Sequence, residues 1–149
     1  MQRLHYAIVI DAPKQTVWHT MLDDQTYRDW SGTFMPGSHY VGSWEKGQKI
    51  KFLGPDENGK LSGMTSEIVE NRPYEFVSIH HLGVVSDGVE DTQSEQAKQW
   101  TGYENYTFQD QGGKTALSVD VDMAEQFSDM MNDLWLKALN RLKELAESK

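Results

Sequence analysis

The sequence has no cysteine among its 149 residues, which excludes disulfides, thiolate nucleophiles and cysteine-based zinc sites. It also lacks a signal-peptide core and any apolar run of about 18 residues, so we expect a cytoplasmic protein. Cationic side chains are few, with 14 Lys and Arg against 23 Asp and Glu and a net charge of −9. This balance disfavours binding to nucleic acid or to an anionic membrane, because both are held through clustered Lys and Arg.

Motifs for metal binding and covalent catalysis are missing as well. Three of the five histidines, His5, His19 and His39, are scattered, and the acidic residues lack the spacing of a calcium loop. No G-x-S-x-G elbow and no glycine-rich phosphate loop occurs. We therefore expect no metal ion and no cofactor.

Residues 1–149 fit a single domain, in which aromatic residues make up 11% and include five tryptophans. Residues 4–10 are predicted to form a strand, and a helix is predicted from Pro13 to about Leu22. A second short helix presents Tyr27 and Trp30 three residues apart on one face. A loop is predicted at residues 31–38.

A period of two begins near Tyr40 and predicts strands at residues 39–44, 49–53, 60–70, 74–85, 100–109 and 114–123. Residues 74–85 are apolar on both faces, which is typical of a central strand. Residues 86–98 are polar, and we interpret them as a mobile excursion with one helical turn near residues 94–99. Its acidic residues are interpreted as solvated.

The last stretch, Glu125 to Glu147, is predicted to be one long amphipathic helix. Asp122 and Glu125 have the spacing of a capping box. The helix has a single apolar stripe, which only Leu136 breaks. The stripe consists of Phe127, Met130, Met131, Leu134, Trp135, Ala138, Leu139, Leu142, Leu145 and Ala146. Such a stripe needs a large apolar surface, so the fold class predicted is α+β, with a curved antiparallel sheet of six or seven strands around this helix.

Several segments resemble the SRPBCC superfamily, the START-like helix-grip proteins related to the birch-pollen allergen. They are Ile10–Trp18, Tyr27–Trp30, Gly42–Trp44, Gly47, Ile50–Phe52 and Ser66–Pro73. The segments Leu134–Trp135 and Leu139–Leu145 resemble the end of its subgroup related to the activator of the heat-shock-protein-ninety ATPase. The resemblance implies a cavity between sheet and helix that binds apolar molecules such as lipids or polyketides. It transfers no catalytic residue, because the superfamily shares no catalytic motif.

The candidate polar groups are His80, His81 and Glu104. Neighbouring residues on a strand face opposite sides, so only one of the two histidines can face the cavity, and the sequence does not decide which. Glu104 shares its face with Tyr106 and Phe108. An interior pair of Glu104 and a histidine could act as general acid and base, or it could be purely structural.

The first functional hypothesis is binding of an apolar or amphipathic small molecule, and rings and methionines suit such a cavity. The candidate ligand-binding residues are Trp44, Phe52, Met64, Ser66, His80, Trp100, Glu104, Tyr106, Met123, Phe127, Met131 and Trp135. The second hypothesis is an acid–base enzyme of the polyketide-cyclase kind, with Glu104, His80 or His81 as catalytic residues. The third is a co-chaperone-like module with a chaperone as its protein partner.

The two halves of the long helix are expected to differ. Its N-terminal half should roof the cavity, while Leu139, Leu142 and Leu145 pack against the sheet. On this basis Trp135→Ala should change ligand binding more than stability, and Leu142→Ala should mainly destabilise.

Overall fold

The computed structural model describes residues 2–148. Within them an eight-stranded antiparallel sheet is combined with two short helices near the N-terminus and one long C-terminal helix. The α+β helix-grip prediction is therefore confirmed. The elements are β1 Gln2–Ile10, α1 Lys14–Leu22, α2 Asp24–Ser31, β2 His39–Gly42, β3 Lys49–Pro55, β4 Leu61–Arg72, β5 Phe76–Ser86, β6 Val89–Asp91, α3 Glu95–Lys98, β7 Gly102–Gln111, β8 Lys114–Met123 and α4 Ser128–Glu147.

The strands follow the order β1-β8-β7-β5-β4-β3-β2, and the short β6 pairs with β5. Strand β5 lies in the middle of this order, as its two apolar faces predicted. Two register shifts interrupt its pairing with β4: one leaves Leu82 of β5 as an extra residue, and the other leaves Val69 of β4. Bulges of this kind bend the strands that carry them, which helps the sheet to curve.

Alternation along the strands places the apolar residues on the face that meets the helices. In β8, Val119 and Val121 are buried, whereas Asp120 between them pairs with His5 on the opposite face. In the buried core, Trp30 of α2 is 1% exposed, and its indole N–H donates to the carbonyl oxygen of Met21 at 3.0 Å. Within residues 2–148, no helix has the length and hydropathy needed to cross a membrane.

The C-terminal helix begins later than predicted, because residues Glu125–Phe127 form a single 3-10 turn and α4 starts at Ser128. The predicted capping box is wrong. Asp122 instead accepts hydrogen bonds from the Arg3 side chain at 2.9 and 3.2 Å and from the Tyr103 amide at 2.9 Å. The guanidinium of Arg3, which lies on β1, therefore binds the carboxylate that the local sequence pattern assigned to a helix cap.

The segment predicted to be a mobile excursion contains β6 and α3, and its helical turn lies where the sequence predicted it. Ser94 caps α3 by accepting a hydrogen bond from the amide of Ala97 at 3.1 Å. Two acidic residues are not merely solvated, because Glu90 binds Lys49 at 2.6 Å and Asp91 accepts from the Ser94 amide at 3.0 Å. Whether the segment moves stays a prediction.

The contacts of Asp122 predict a dependence of stability on pH. Hydrogen bonds from Arg3 hold the pKa of Asp122 below its ordinary value. A lowered folded-state pKa stabilises the fold above the unfolded-state value of about 3.9, and this stabilisation is lost as pH falls through the folded-state pKa. Because Arg3 is half exposed, we expect Asp122→Asn to lower the free energy of unfolding by only about 1 kcal/mol at pH 7.

Urea denaturation at a series of pH values measures this effect. The difference between wild type and Asp122→Asn should shrink below about pH 4. Asp133→Asn, on an exposed position of α4, is the matched control and should change stability by less than about 0.5 kcal/mol. If the difference in free energy of unfolding between wild type and Asp122→Asn stayed constant down to acid pH, this would contradict a lowered pKa for Asp122.

Candidate functional site

A cavity of about 560 Å³ lies between the sheet, α2 and the N-terminal half of α4, and it is partly open to solvent. Its volume falls within the range of roughly 300–1,000 Å³ that is typical of small-molecule sites. The exposed side chains of Met35 and Met130 belong to its lining. The structure therefore contains the space that the resemblance implied.

The wall of the cavity is mostly apolar and rich in rings. Aromatic side chains come from α2, the loop after it, the sheet, the connection between α3 and β7, and α4. They are Tyr27, Trp30, Phe34, Phe52, Trp100, Tyr106 and Trp135. Met64, Val84, Met131 and Leu134 add thioether and aliphatic surface. Glu104 is the only Asp or Glu among the lining residues, and within residues 2–148 none of the lining residues is Lys or Arg.

Strand β5 resolves which histidine faces inward. Val77 and Ile79 are fully buried in the core, and His81 follows them on the same face with 5% of its surface exposed. His80 lies on the opposite face, where its ring stacks on Tyr103 with centroids 4.5 Å apart. The prediction that His80 is a cavity residue is wrong, because alternation along the strand turns its side chain away.

A chain of hydrogen bonds runs along one wall of the cavity. His81 Nδ1 lies 2.7 Å from Ser66 Oγ, and His81 Nε2 lies 3.1 Å from Glu104 Oε1. The Tyr106 hydroxyl donates to the other carboxylate oxygen of Glu104. An imidazole protonated at Nε2 satisfies both of its contacts, because Nε2–H donates to Glu104 and Nδ1 accepts from the Ser66 hydroxyl.

Two tyrosines beside this chain are held in their neutral form. Burial raises the pKa of Tyr106 well above its ordinary value, and the negative charge of Glu104 raises it further. Burial, followed by the charge of Glu104, also raises the pKa of Tyr27. Both phenols therefore stay protonated at neutral pH, and the Tyr106 hydroxyl remains a donor to the carboxylate. This hydrogen-bonded set on the cavity wall can therefore bind a polar group of a ligand or transfer a proton to or from it.

The structure brings together seven of the twelve residues predicted from the sequence to bind the ligand. Those that line the cavity are Phe52, Met64, Trp100, Glu104, Tyr106, Met131 and Trp135. Ser66 lies behind the wall and reaches it through His81. Their role in binding stays a prediction.

The remaining predicted residues serve the packing around the cavity. Trp44 donates its indole N–H to the carbonyl oxygen of Leu22 at 3.1 Å. Phe127 stacks on Trp100 with ring centroids 4.5 Å apart, and Met123 is buried in the core. None of these three side chains lines the cavity.

The contribution of α2 and of the loop after it to the cavity was not predicted from the sequence. Tyr27, Trp30 and Phe34 line the cavity, as does Met35. The spacing of Tyr27 and Trp30 identified a shared helical face, but nothing local showed that this face points toward α4. Residues 2–148 contain no group of three or more His, Asp or Glu that could hold a metal ion.

The family described as "Activator of Hsp90 ATPase homolog 1-like protein" matches residues 11–147. The chain belongs to this family. Membership in the Hsp90-activator-like family confirms the resemblance to the helix-grip subgroup, and it covers both the strands that form the cavity and the helix that roofs it. A comparison with curated proteins gives no match.

Solved structures agree with the family assignment at the level of fold. Protein MLL2253 from Mesorhizobium loti has a TM-score of 0.75 at 10% identity, with 99% of this chain and 98% of that chain covered. Protein NE0264 from Nitrosomonas europaea has a TM-score of 0.73 at 13% identity, with 98% and 94% covered. CalU16 from Micromonospora echinospora has a TM-score of 0.69 at 16% identity, with 97% and 75% covered.

Proposed function

We propose that this member of the Hsp90-activator-like family binds an apolar or amphipathic small molecule between its sheet and α4. The observation that carries the proposal is the cavity of about 560 Å³, which combines an aromatic wall with one connected set of polar groups. An apolar ligand would remove the exposed methionines Met35 and Met130 and the partly exposed cavity rings from water, at about 25 cal/mol for each Å² buried. The polar set would orient one functional group of the ligand.

The test uses the neutral dye Nile red and a variant that fills the cavity. Leu134 of α4 lines the cavity, whereas Leu136 of the same helix is 56% exposed on the opposite side. We expect Leu134→Trp to weaken Nile red binding by at least about tenfold, because the larger ring occupies the space of the ligand.

Leu136→Trp is the matched control, since it adds the same ring to the same helix outside the cavity. It should leave the dissociation constant within about threefold of wild type. Native mass spectrometry of the protein purified from its own host provides a second readout, in which a retained small molecule is expected for wild type. Equal dye binding by wild type and Leu134→Trp would refute the proposal.

The contact between His81 and Glu104 supports acid–base catalysis as a second candidate function. Side chains within hydrogen-bond distance, beside an apolar cavity, could remove and return a proton next to a carbonyl group. Deuterium exchange into 2-decanone in D₂O, followed by NMR, measures such a step. If the protein catalyses this step, the wild type exchanges deuterium faster than buffer alone, and Glu104→Gln loses this excess. Exchange by the wild type at the buffer rate counts against catalysis.

The family description also names an activator of the Hsp90 ATPase. Co-chaperone activity stays a prediction for this chain. The ATPase rate of purified Hsp90, measured with and without the protein, tests it.

A further inference from the structure

The charge of the cavity wall distinguishes between classes of amphipathic ligand. Glu104 is the one acidic residue among the lining residues, and no Lys or Arg from residues 2–148 lines the cavity. The chain of Ser66, His81, Glu104 and Tyr106 contains one carboxylate, that of Glu104, and no Lys or Arg. A ligand with a carboxylate would meet the like charge of Glu104 with no Lys or Arg to pair with, which is unfavourable in a poorly hydrated site.

The carboxylate of Glu104 also retains capacity to accept hydrogen bonds. A carboxylate offers about four acceptor positions. Within the part of the chain that the structure describes, its hydrogen-bond donors are His81 Nε2 and the Tyr106 hydroxyl. The side chain is 17% exposed and lines the cavity, so a donor on a ligand can reach it. The surrounding rings favour a cation further, because their faces are electronegative.

We propose that the cavity selects amphipathic molecules with a protonated amine, which Glu104 binds, over alcohols and carboxylic acids of the same apolar chain. This inference rests on the proposed function, since it specifies the ligand class of the same cavity. The ammonium group would donate to Glu104 while the apolar chain lies against the aromatic rings. A charge-assisted hydrogen bond of this kind is about twice as strong as a neutral one.

The experiment compares n-decylamine, n-decanol and decanoate by isothermal titration calorimetry at pH 7, below their micellar concentrations. We expect one-to-one binding of decylamine, at least about tenfold tighter than decanol, and decanoate weaker than decanol. Glu104→Gln should reduce the difference between amine and alcohol to less than about threefold. Retained decanol binding by this variant shows that its cavity is intact.

The matched control separates binding in the cavity from attraction to an acidic surface. Glu57 lies on the exposed turn between β3 and β4, and Glu57→Gln changes the net charge as Glu104→Gln does. It should leave decylamine binding within about threefold of wild type, whereas Leu134→Trp should weaken it.

The outcomes distinguish the inference from the function on which it rests. Decanol or decanoate binding as tightly as decylamine overturns the preference for amines but leaves ligand binding in the cavity intact. An equal loss of amine binding in Glu57→Gln and Glu104→Gln also overturns it, because surface charge would then explain the effect. Failure of Nile red and of all three probes to bind overturns both.

Discussion

Replacing Trp135 by alanine is expected to lower the free energy of unfolding by about 3–5 kcal/mol, the range for removing a large buried aromatic side chain. The residue is 3% exposed. Its ring lies 5.0 Å from that of Phe34, 6.0 Å from Tyr6 and 6.1 Å from Trp30, measured between centroids. Aromatic pairs of this kind each contribute about 0.5–1.5 kcal/mol beyond the area they bury.

Denaturation by urea, followed by circular dichroism, measures the loss without depending on tryptophan fluorescence. Leu136→Ala, one residue further along α4 and largely exposed, should change stability by less than about 0.5 kcal/mol. Trp135→Phe should lose less than Trp135→Ala, because the indole N–H of Trp135 makes no hydrogen bond within residues 2–148. A loss below about 1 kcal/mol for Trp135→Ala would show that its neighbours collapse into the space.

This prediction revises the one made from the sequence, which had Trp135→Ala change binding more than stability. The helical stripe correctly placed Met131, Leu134 and Trp135 on the cavity side of α4. It did not show that rings from β1, β7, α2 and the loop after α2 meet around Trp135. Those contacts join positions far apart in sequence, so no local pattern contains them. Trp135 therefore serves both the core and the cavity.

The strand pattern of the sheet was predictable because it depends on local alternation. In β7 the period of two correctly grouped Glu104 with Tyr106 and Phe108, whose side chains face inward. The same rule could not choose between His80 and His81, because apolar residues occur on both faces of β5. The extra residue Leu82 makes the choice harder, because it shifts by one the alternation of faces between His81 and Val84. Only the pairing with β4 and β7 reveals the register.

The helix termini and the acidic residues were less predictable, for a different reason. Asp122 fits a capping pattern locally, but folding supplies Arg3 from the opposite end of the chain, and a charge-assisted bond outcompetes the cap. The same applies to Glu90, which Lys49 reaches from another strand. A local sequence pattern shows which hydrogen bonds a side chain can form, whereas the tertiary fold determines which partner lies close enough to form them.

Leu142→Ala is expected to lower the free energy of unfolding by about 2–5 kcal/mol while leaving ligand binding by the folded protein unchanged. Leu142 is fully buried, in the same core cluster as Ile10 and Val17, and it does not line the cavity. Its removal leaves a void in this core cluster, and the packed side chains around it can fill that void only in part. Urea denaturation measures the loss of stability, and Nile red titration in the absence of urea measures binding.

Together, the two alanine variants separate the tasks of α4. Both should destabilise the protein by several kcal/mol, but only Trp135→Ala should weaken Nile red binding, because only its ring forms part of the cavity wall. Leu134→Ala, at a half-buried position that lines the cavity, is a third variant for comparison. It should change Nile red binding with a smaller loss of stability than either of the other two variants. If Leu142→Ala weakened binding as strongly as Trp135→Ala, the helix would have to act as one rigid unit, with the packing of its C-terminal half setting the position of the roof.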